Sequence, residues 1–266
     1  MVTRTLYMVL LIAGLSYFAA PATADSLEDD RFSLSLGVFL TDRDTDARLD
    51  SSLGDGTDTD LETDLGLDSS DSVFRVDGYF RFSERHRADF SVFDLSRKKT
   101  KQIQKDIQWG DTLFSIDTAV KSDNDLSIYK AAYTYSFLNG EDGYLGATFG
   151  AYVADWNVSI REENTGSAEV GELTAPMPVI GLRGEYALSD RWSFRASGEF
   201  FFVEYDNVDG SLVDLYAGFD YSILDNLSIG IGFNRVTIDI DAAKNRFRGT
   251  LDWRYSGALA FLKFNF

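Results

Sequence analysis

Apolar residues recur at every second position along much of this chain. Phe32, Leu34, Leu36, Val38 and Leu40 share one face of a segment running from about Phe32 to Leu49. In a second, from Ser72 to Ser83, Phe74, Val76, Gly78, Phe80 and Phe82 oppose Arg75, Asp77, Tyr79 and Arg81. A period of two belongs to a strand whose faces meet different surroundings, whereas a helix needs apolar residues three and four apart. The same alternation predicts strands near Arg87 to Lys99, Leu126 to Leu138, Tyr144 to Arg161, Pro178 to Leu188, Trp192 to Tyr205, Leu212 to Leu224, Leu227 to Ile240 and Leu251 to Phe266. That makes ten, an even number, which returns both ends of the sheet to one side.

The connections divide into two kinds. Ser83 to His86, Asn139 to Gly143, Ser189 to Arg191 and Asp225 to Asn226 are short and turn-like. Residues 50 to 71, 100 to 125, 162 to 177, 206 to 211 and 241 to 250 are longer or more polar. Tight turns on one side and long loops on the other predict an all-β, antiparallel up-and-down transmembrane barrel, with short periplasmic turns and longer extracellular loops. The strand count is open between 8 and 12, because Ile107 to Ile116 has β character and reads either as a hairpin above the membrane or as additional wall. Alternation slips at Phe93-Asp94, Ala154-Asp155 and Asn234-Arg235, where a strict period puts charge on the lipid face. A basic residue at mid-bilayer costs about 2 to 4 kcal/mol, so these positions belong at the outer rim or at bulges. The rival fold is a soluble lipocalin-like barrel with its apolar side chains inside.

The start of the chain reads as a secretory signal over residues 1–24: Arg4, an apolar run from Leu6 to Ala20, then Ala22-Thr23-Ala24 as a cleavage site. Residues 25–266 are then one barrel domain, since no later apolar run reaches the roughly 18 residues of a helical span. Cysteine is absent, which removes disulfides and thiol chemistry. Pro176 and Pro178 are the prolines beyond the signal, a scarcity that suits continuous sheet, and both fall at the start of one predicted strand. A formal charge of −18, from 43 acidic and 25 basic residues, argues against nucleic acid as a partner.

Phe266 closes a stretch in which Phe264, Leu262, Ala260 and Ala258 alternate as apolar residues. With the signal segment and the short and long connections, this resembles the small bacterial outer-membrane β-barrels across the whole mature chain, with no particular member indicated. The resemblance implies residence in a Gram-negative outer membrane, periplasmic chaperones, and insertion by the barrel-assembly machinery, which reads the terminal strand through Phe264 and Phe266. It also implies membrane lipid and lipopolysaccharide as partners and a monomer. No catalytic residue carries over.

With the apolar face outward, the lumen collects Arg75, Asp77, Arg81, Asp89, Lys130, Arg183, Glu185, Arg195, Glu199, Asp214, Asp220 and Lys263. Six bases and six acids in a narrow barrel predict pairing across the lumen, because buried charge is tolerated only when paired. Gly146, Gly150, Gly181, Gly230, Gly232 and Gly257 are inward as well, and leave a narrow path beside this plug as an alternative. The acidic stretch from Asp42 through Asp71 lacks the spacing of a calcium loop and reads as a solvated segment. Arg97, Lys98, Lys99, Lys101 and Lys105 form a basic cluster that suits either lipopolysaccharide phosphates or the acidic loop.

The sole histidine, His86, falls in a predicted periplasmic turn. Outer-membrane phospholipases, lipid A deacylases, omptin-like proteases and palmitoyltransferase-like barrels all lean on a histidine, so this placement disfavours an enzyme. No cofactor or metal is expected. The expected function is a structural or porin-like barrel with at most a narrow passive pathway. The alternatives are a surface module binding cations or lipopolysaccharide through its loops, and, as a minor possibility, an outer-membrane hydrolase.

Overall fold

In a computed structural model, which describes residues 31–266 apart from Leu53, Asp206, Asn207, Asn245 and Arg246, the chain closes into a barrel. The predicted signal segment lies outside the described residues. Ten long antiparallel strands form the wall. They are β1 (Phe32–Leu49), β3 (Ser70–Ser83), β4 (His86–Gln102), β7 (Ala119–Gly140), β8 (Gly143–Glu162), β9 (Ala168–Ala187), β10 (Trp192–Tyr205), β11 (Val208–Leu224), β12 (Leu227–Lys244) and β13 (Phe247–Asn265). The remaining elements are small: β2 (Thr59–Asp60) leans on β1, and β5 (Ile107–Trp109) pairs with β6 (Thr112–Phe114) in a separate hairpin. Closure comes from β13 pairing with β1, from Ser33 opposite Asn265 to Leu49 opposite Gly249. A closed ladder satisfies its own backbone groups, which hydrocarbon requires.

The alternating faces change meaning partway up the wall. On β1 the outward side chains are Leu34, Leu36, Val38 and Leu40, and then Asp42, Asp44, Asp46 and Arg48. On β12 they are Ile229, Ile231 and Phe233, followed by Arg235, Thr237, Asp239 and Asp241. The apolar part forms a belt next to the short turns. Beyond it, the wall continues as a collar with a charged exterior, and on β1 the stretch Asp42 to Leu49 adds about 25 Å along the strand at about 3.3 Å per residue. The inner face inverts at the same level. Inside the belt it is charged, whereas inside the collar it carries buried Ala47, Leu95, Ile128, Trp156, Val158, Ile238, Leu251 and Trp253. One barrel thus obeys the membrane rule below and the water-soluble rule above. The slips at Phe93-Asp94, Ala154-Asp155 and Asn234-Arg235 mark this boundary, and the ladders pass through them with no register shift, so they are rim positions and not bulges.

Register shifts occur instead beside three of the short turns, between Arg81 and Ser83, Ser136 and Leu138, and Ser222 and Leu224. Much of the chain expected as long loops is strand. Residues 168–177, 208–211, 241–244 and 247–250, with 119–125, belong to the collar, where outward charge reads as loop in the sequence. Two long connections remain, 50–69 and 103–118, which enclose β2 and the hairpin of β5 and β6. Of the two expectations for this stretch the hairpin holds, since it forms a separate sheet and adds no wall strand, and its Ile107, Trp109 and Phe114 are fully buried. Tyr186 and Trp192 lie on the outward face near the short turns, whereas Tyr144 and Trp253 turn inward.

One seam interrupts the collar. Strands β9 and β10 pair from Ala187 opposite Ser193 up to Ile180 opposite Phe200, and above this β9 is bonded to β8 alone. The Ala187 N–H donates to Asp142 O on the β8 side at 2.6 Å, so odd positions of β9 face β8 and even ones face the seam. Pro176 and Pro178 therefore lie mid-strand, with their missing N–H groups on the free edge, where a donor would invite another strand.

Candidate functional site

The structure turns all twelve predicted lumen charges inward and gathers them within the belt. Lys130 on β7 reaches across the lumen to Glu199 on β10 and to Asp214 on β11, the latter at 3.4 Å. Asp214 is a hub: Asn234 Nδ2 donates to it at 2.6 Å, and the Tyr152 hydroxyl donates to its other oxygen. Arg75 Nη1 in turn donates to Asn234 Oδ1 at 2.7 Å, pairs with Asp77 at 3.0 Å and lies over the Phe93 ring at 5.0 Å. Nearer the short turns, Arg183 bridges Glu199 at 3.3 Å and Asp89 at 3.9 Å. Lys263 lies between Glu185 at 3.6 Å and Asp220 at 3.4 Å, and Arg195 pairs with Asp220 at 2.7 Å. Arg81 lies over the Tyr79 ring at 5.9 Å.

Each of these groups is positioned by pleat alone, since inward positions repeat every second residue on neighbouring strands in register. Pairing is what makes the arrangement tolerable. An unpaired ion there retains a desolvation penalty of several kcal/mol, by the usual order of magnitude. Tyr79 lies on the inward face with Arg75 and Arg81, as the alternation placed it, but sequence reasoning missed Arg87, which bonds Asp89 at 2.6 Å, and the Tyr144, Tyr152 and Asn234 side chains that surround the ions. The available signal was parity, since each shares the inward register of a predicted neighbour: Arg87 that of Asp89, Tyr144 and Tyr152 that of one another and of Gly146 on β8, and Asn234 that of Gly232. Of the two assembly-signal residues, Phe266 is exposed and exchanges backbone hydrogen bonds with Phe32, at 2.8 and 3.1 Å, while Phe264 lies on the outward face of β13.

Above the ion network the lumen is filled by apolar side chains and capped by the two long connections, which act together as a lid. Leu61, Leu65 and Leu67 from one, with Ile103, Ile107, Trp109 and Phe114 from the other, are buried in the core of the collar. Backbone bonds knit the two halves: Thr57 N donates to Gln108 O at 2.8 Å, and Gly110 N donates to Leu49 O at 2.9 Å. Gly110 turns the hairpin at φ 58°, a left-handed conformation in which a side chain is strained. Asp111 accepts from the Ser52 N–H at 2.8 Å and the Ser52 hydroxyl at 3.0 Å, which draws its pKa down. Most of the basic cluster is spent on this lid, with Lys98 pairing instead with Asp123 of β7 at 2.6 Å. Lys99 pairs with Asp68 at 3.1 Å, Lys105 with Asp64 at 2.7 Å, and Lys101 donates to Thr63 O, while Arg97 turns inward to Glu62.

His86 lies at the opposite end, on the outward face of β4, with Nδ1 bonded to the Tyr133 hydroxyl. No group of three or more His, Cys, Asp or Glu residues is arranged to hold a metal ion among the described residues.

No protein-family model matches this sequence, and a search of curated proteins finds no match. Solved structures do resemble the fold. The outer membrane protease OmpT from Escherichia coli is 11% identical, covers 92% of this chain and 99% of its own, and superposes with a TM-score of 0.57. The attachment invasion locus protein Ail of Yersinia pestis is 10% identical over 88% of this chain and 98% of its own, with a TM-score of 0.34. The monoaromatic hydrocarbon channel CymD is 13% identical over 90% of this chain and 70% of its own, with a TM-score of 0.36. At 11% identity the superposition on OmpT defines the fold and nothing finer. The chain has the all-β, closed ten-stranded barrel fold found in bacterial outer-membrane proteins, with no specific family indicated.

Proposed function

We propose that this is a monomeric bacterial outer-membrane barrel whose lumen is closed, and that it serves as a structural element of the envelope and not as an open pore. One observation carries the reading. The lumen is occupied along its length, by paired ions within the belt and by an apolar core under a bonded lid above it. Ten strands fall near the eight whose interior side chains fill, far from the sixteen to eighteen of open porins. The test is conductance of the purified, refolded protein in planar bilayers: baseline current is expected, and steady openings whose selectivity changes when Arg75 or Asp77 is replaced overturn the reading.

A non-catalytic role is part of the same proposal. The one histidine faces outward beside the short turns, on the far side of the belt from the lid, and an 11% identity to a protease carries the fold alone. A second reading, a surface that binds cations or lipopolysaccharide, is favoured by one feature of the collar. Asp60, Asp46, Asp252 and Asp239 stand directly opposite one another on adjacent strands, where like charges repel. Burial and these neighbours push the Asp46 and Asp252 carboxyls above their ordinary pKa. The long connections offer less, because their charged side chains are tied into the lid. Calcium-dependent retention of the folded barrel on lipopolysaccharide, abolished by Asp46→Asn with Asp252→Asn, supports this second reading, and retention unchanged by that pair counts against it.

A further inference from the structure

The collar holds a pair of buried arginines, each with one carboxylate partner, and the donors of one of them are poorly met. Arg43 on β1 and Arg97 on β4 both point inward beneath the lid, with side chains 1% and 3% exposed. Arg97 is engaged through both terminal nitrogens, with only Nε unmet: Nη1 donates to the Glu62 carboxylate and to Asp68 O at 3.1 Å, and Nη2 donates to Thr45 Oγ1 at 3.0 Å. Arg43 is not. None of its three guanidinium nitrogens makes a well-aligned hydrogen bond among the described residues. Its nearest countercharge is Asp71, at 3.2 Å from Nη2 but with a side chain 45% exposed on the rim. Opposite Arg43 on β13, the Tyr255 hydroxyl is also buried without a partner.

This recess exists because the ladder opens here. Strand β3 stops pairing with β1 at Ser70 opposite Asp42, and β3 and β4 part above Arg75 opposite Phe93. Glu62 of the lid fills the gap, taking the Thr45 N–H at 2.9 Å with one oxygen and Arg97 with the other. A single carboxylate has two oxygens, and both are used. It serves Arg97 and leaves Arg43 with the rim carboxylate of Asp71 alone, an expensive state for a buried cation with five donors.

We propose that Arg43 and Arg97 form a receptor for a phosphate oxyanion, and that Glu62 is the internal occupant that keeps it shut. A phosphate monoester carries close to two negative charges and three free oxygens, enough to face both forks, where the carboxylate faces one. Binding replaces Glu62 and so frees the lid segment 59–67 from Thr45 and Arg97. The ligand's phosphate is either a free ester or the headgroup of a phosphorylated lipid such as lipid A, since the recess lies above the belt within reach of both.

The test uses the folded mature barrel in detergent at constant ionic strength, with inorganic phosphate as the probe and calorimetry as the readout. Glu62→Gln is expected to bind phosphate at least about tenfold more tightly than the wild type, the scale of one charge-assisted hydrogen bond. Glu62→Gln with Arg43→Met is expected to lose that gain. A folded Glu62→Gln protein that binds phosphate no better than wild type overturns the proposal. If Glu62→Gln does not fold, Arg43→Met alone decides: a receptor kept at the expense of stability predicts a higher melting temperature without phosphate and no further rise with it. A lower melting temperature with the phosphate response intact overturns the proposal. The two ligand sources separate in vesicles through Trp109 emission, with Trp156, Trp192 and Trp253 replaced by Phe. A response to phosphorylated but not dephosphorylated lipid A assigns the headgroup, a response to soluble phosphate alone assigns a free ester, and silence to both refutes the receptor.

Discussion

Ile238 and Thr237 are adjacent on β12, point to opposite sides of the collar, and separate a two-regime barrel from a uniform one. In a barrel whose lumen is aqueous throughout, the inward residue tolerates polarity. Here Ile238 is 1% exposed, between Leu212 on β11 and Trp253 on β13, both inward and buried. Replacing it with Asn removes a fully buried aliphatic side chain, about 1.5 to 3 kcal/mol. It also leaves an amide without partners, about 1 to 3 kcal/mol more. A loss of about 3 to 5 kcal/mol is expected, a large share of the stability of a typical domain. Thr237→Asn on the outer face should change stability by no more than about 0.5 kcal/mol. Lower on the same strand the outward face meets lipid, so Ile231→Arg should lose about 2 to 4 kcal/mol, whereas Arg235 is native four residues above it. Urea titration of the protein refolded into vesicles, followed by tryptophan emission, gives these differences directly. If Ile238→Asn is no more harmful than Thr237→Asn, the collar is not an enclosed apolar core and the reasoning fails.

Three further outcomes follow from particular contacts. Lys130→Met leaves Glu199 and Asp214 facing each other without their shared cation, and should destabilise by about 3 to 5 kcal/mol, seen as a lower temperature for the gel shift of unfolding; no shift means the network is solvated. Pro176→Thr with Pro178→Thr restores two donors to the free edge of β9, so the detergent-solubilised protein should associate in light scattering, and a strictly monomeric variant contradicts the edge-protection argument. Acid should loosen the lid: burial acts to raise the Asp60 pKa, but the Thr63 and Glu62 N–H groups, at 2.8 and 2.9 Å, hold it below the ordinary 3.8. Its contribution is therefore complete above that ordinary value and is lost as pH falls through the lowered folded one, with Asp111 following the same sign. Pepsin cleavage within residues 50–69 should rise over that window, and a flat profile removes these carboxylates from the account.

The belt was legible in the sequence because its two faces differ in kind. Strands β1 and β10 read with their observed ends, and every predicted lumen charge lies on the inward register. The collar was harder to read. Lys121-Ser122-Asp123-Asn124-Asp125 contains no apolar residue, yet it is strand because β4 and β8 pair with it on both sides, and tertiary pairing overrides weak local preference. Residues 168–177 combine Gly171, outward Glu172 and Thr174, and Pro176, so their apolar inward members Leu173 and Ala175 pass for chance. The lid was hidden by charge: Leu61, Leu65 and Leu67 are embedded among carboxylates, and only the long-range partners Arg97, Lys99 and Lys105 neutralise the segment enough to bury it. Arg43 fell outside the predicted lumen set because the outward face of its strand turns acidic at that level, and the loop-like neighbourhood masked its parity.

The absence of native cysteine allows single cysteines to be placed along β1 and labelled without background. Accessibility of positions 36, 38, 40, 42, 44, 46 and 47 to a lipid-borne and to a water-borne quencher tests the inversion of the wall most directly. The expected pattern is lipid contact at 36, 38 and 40, water contact at 42, 44 and 46, and protection from both at 47. Lipid contact continuing through 46, or free water access at 47, contradicts it.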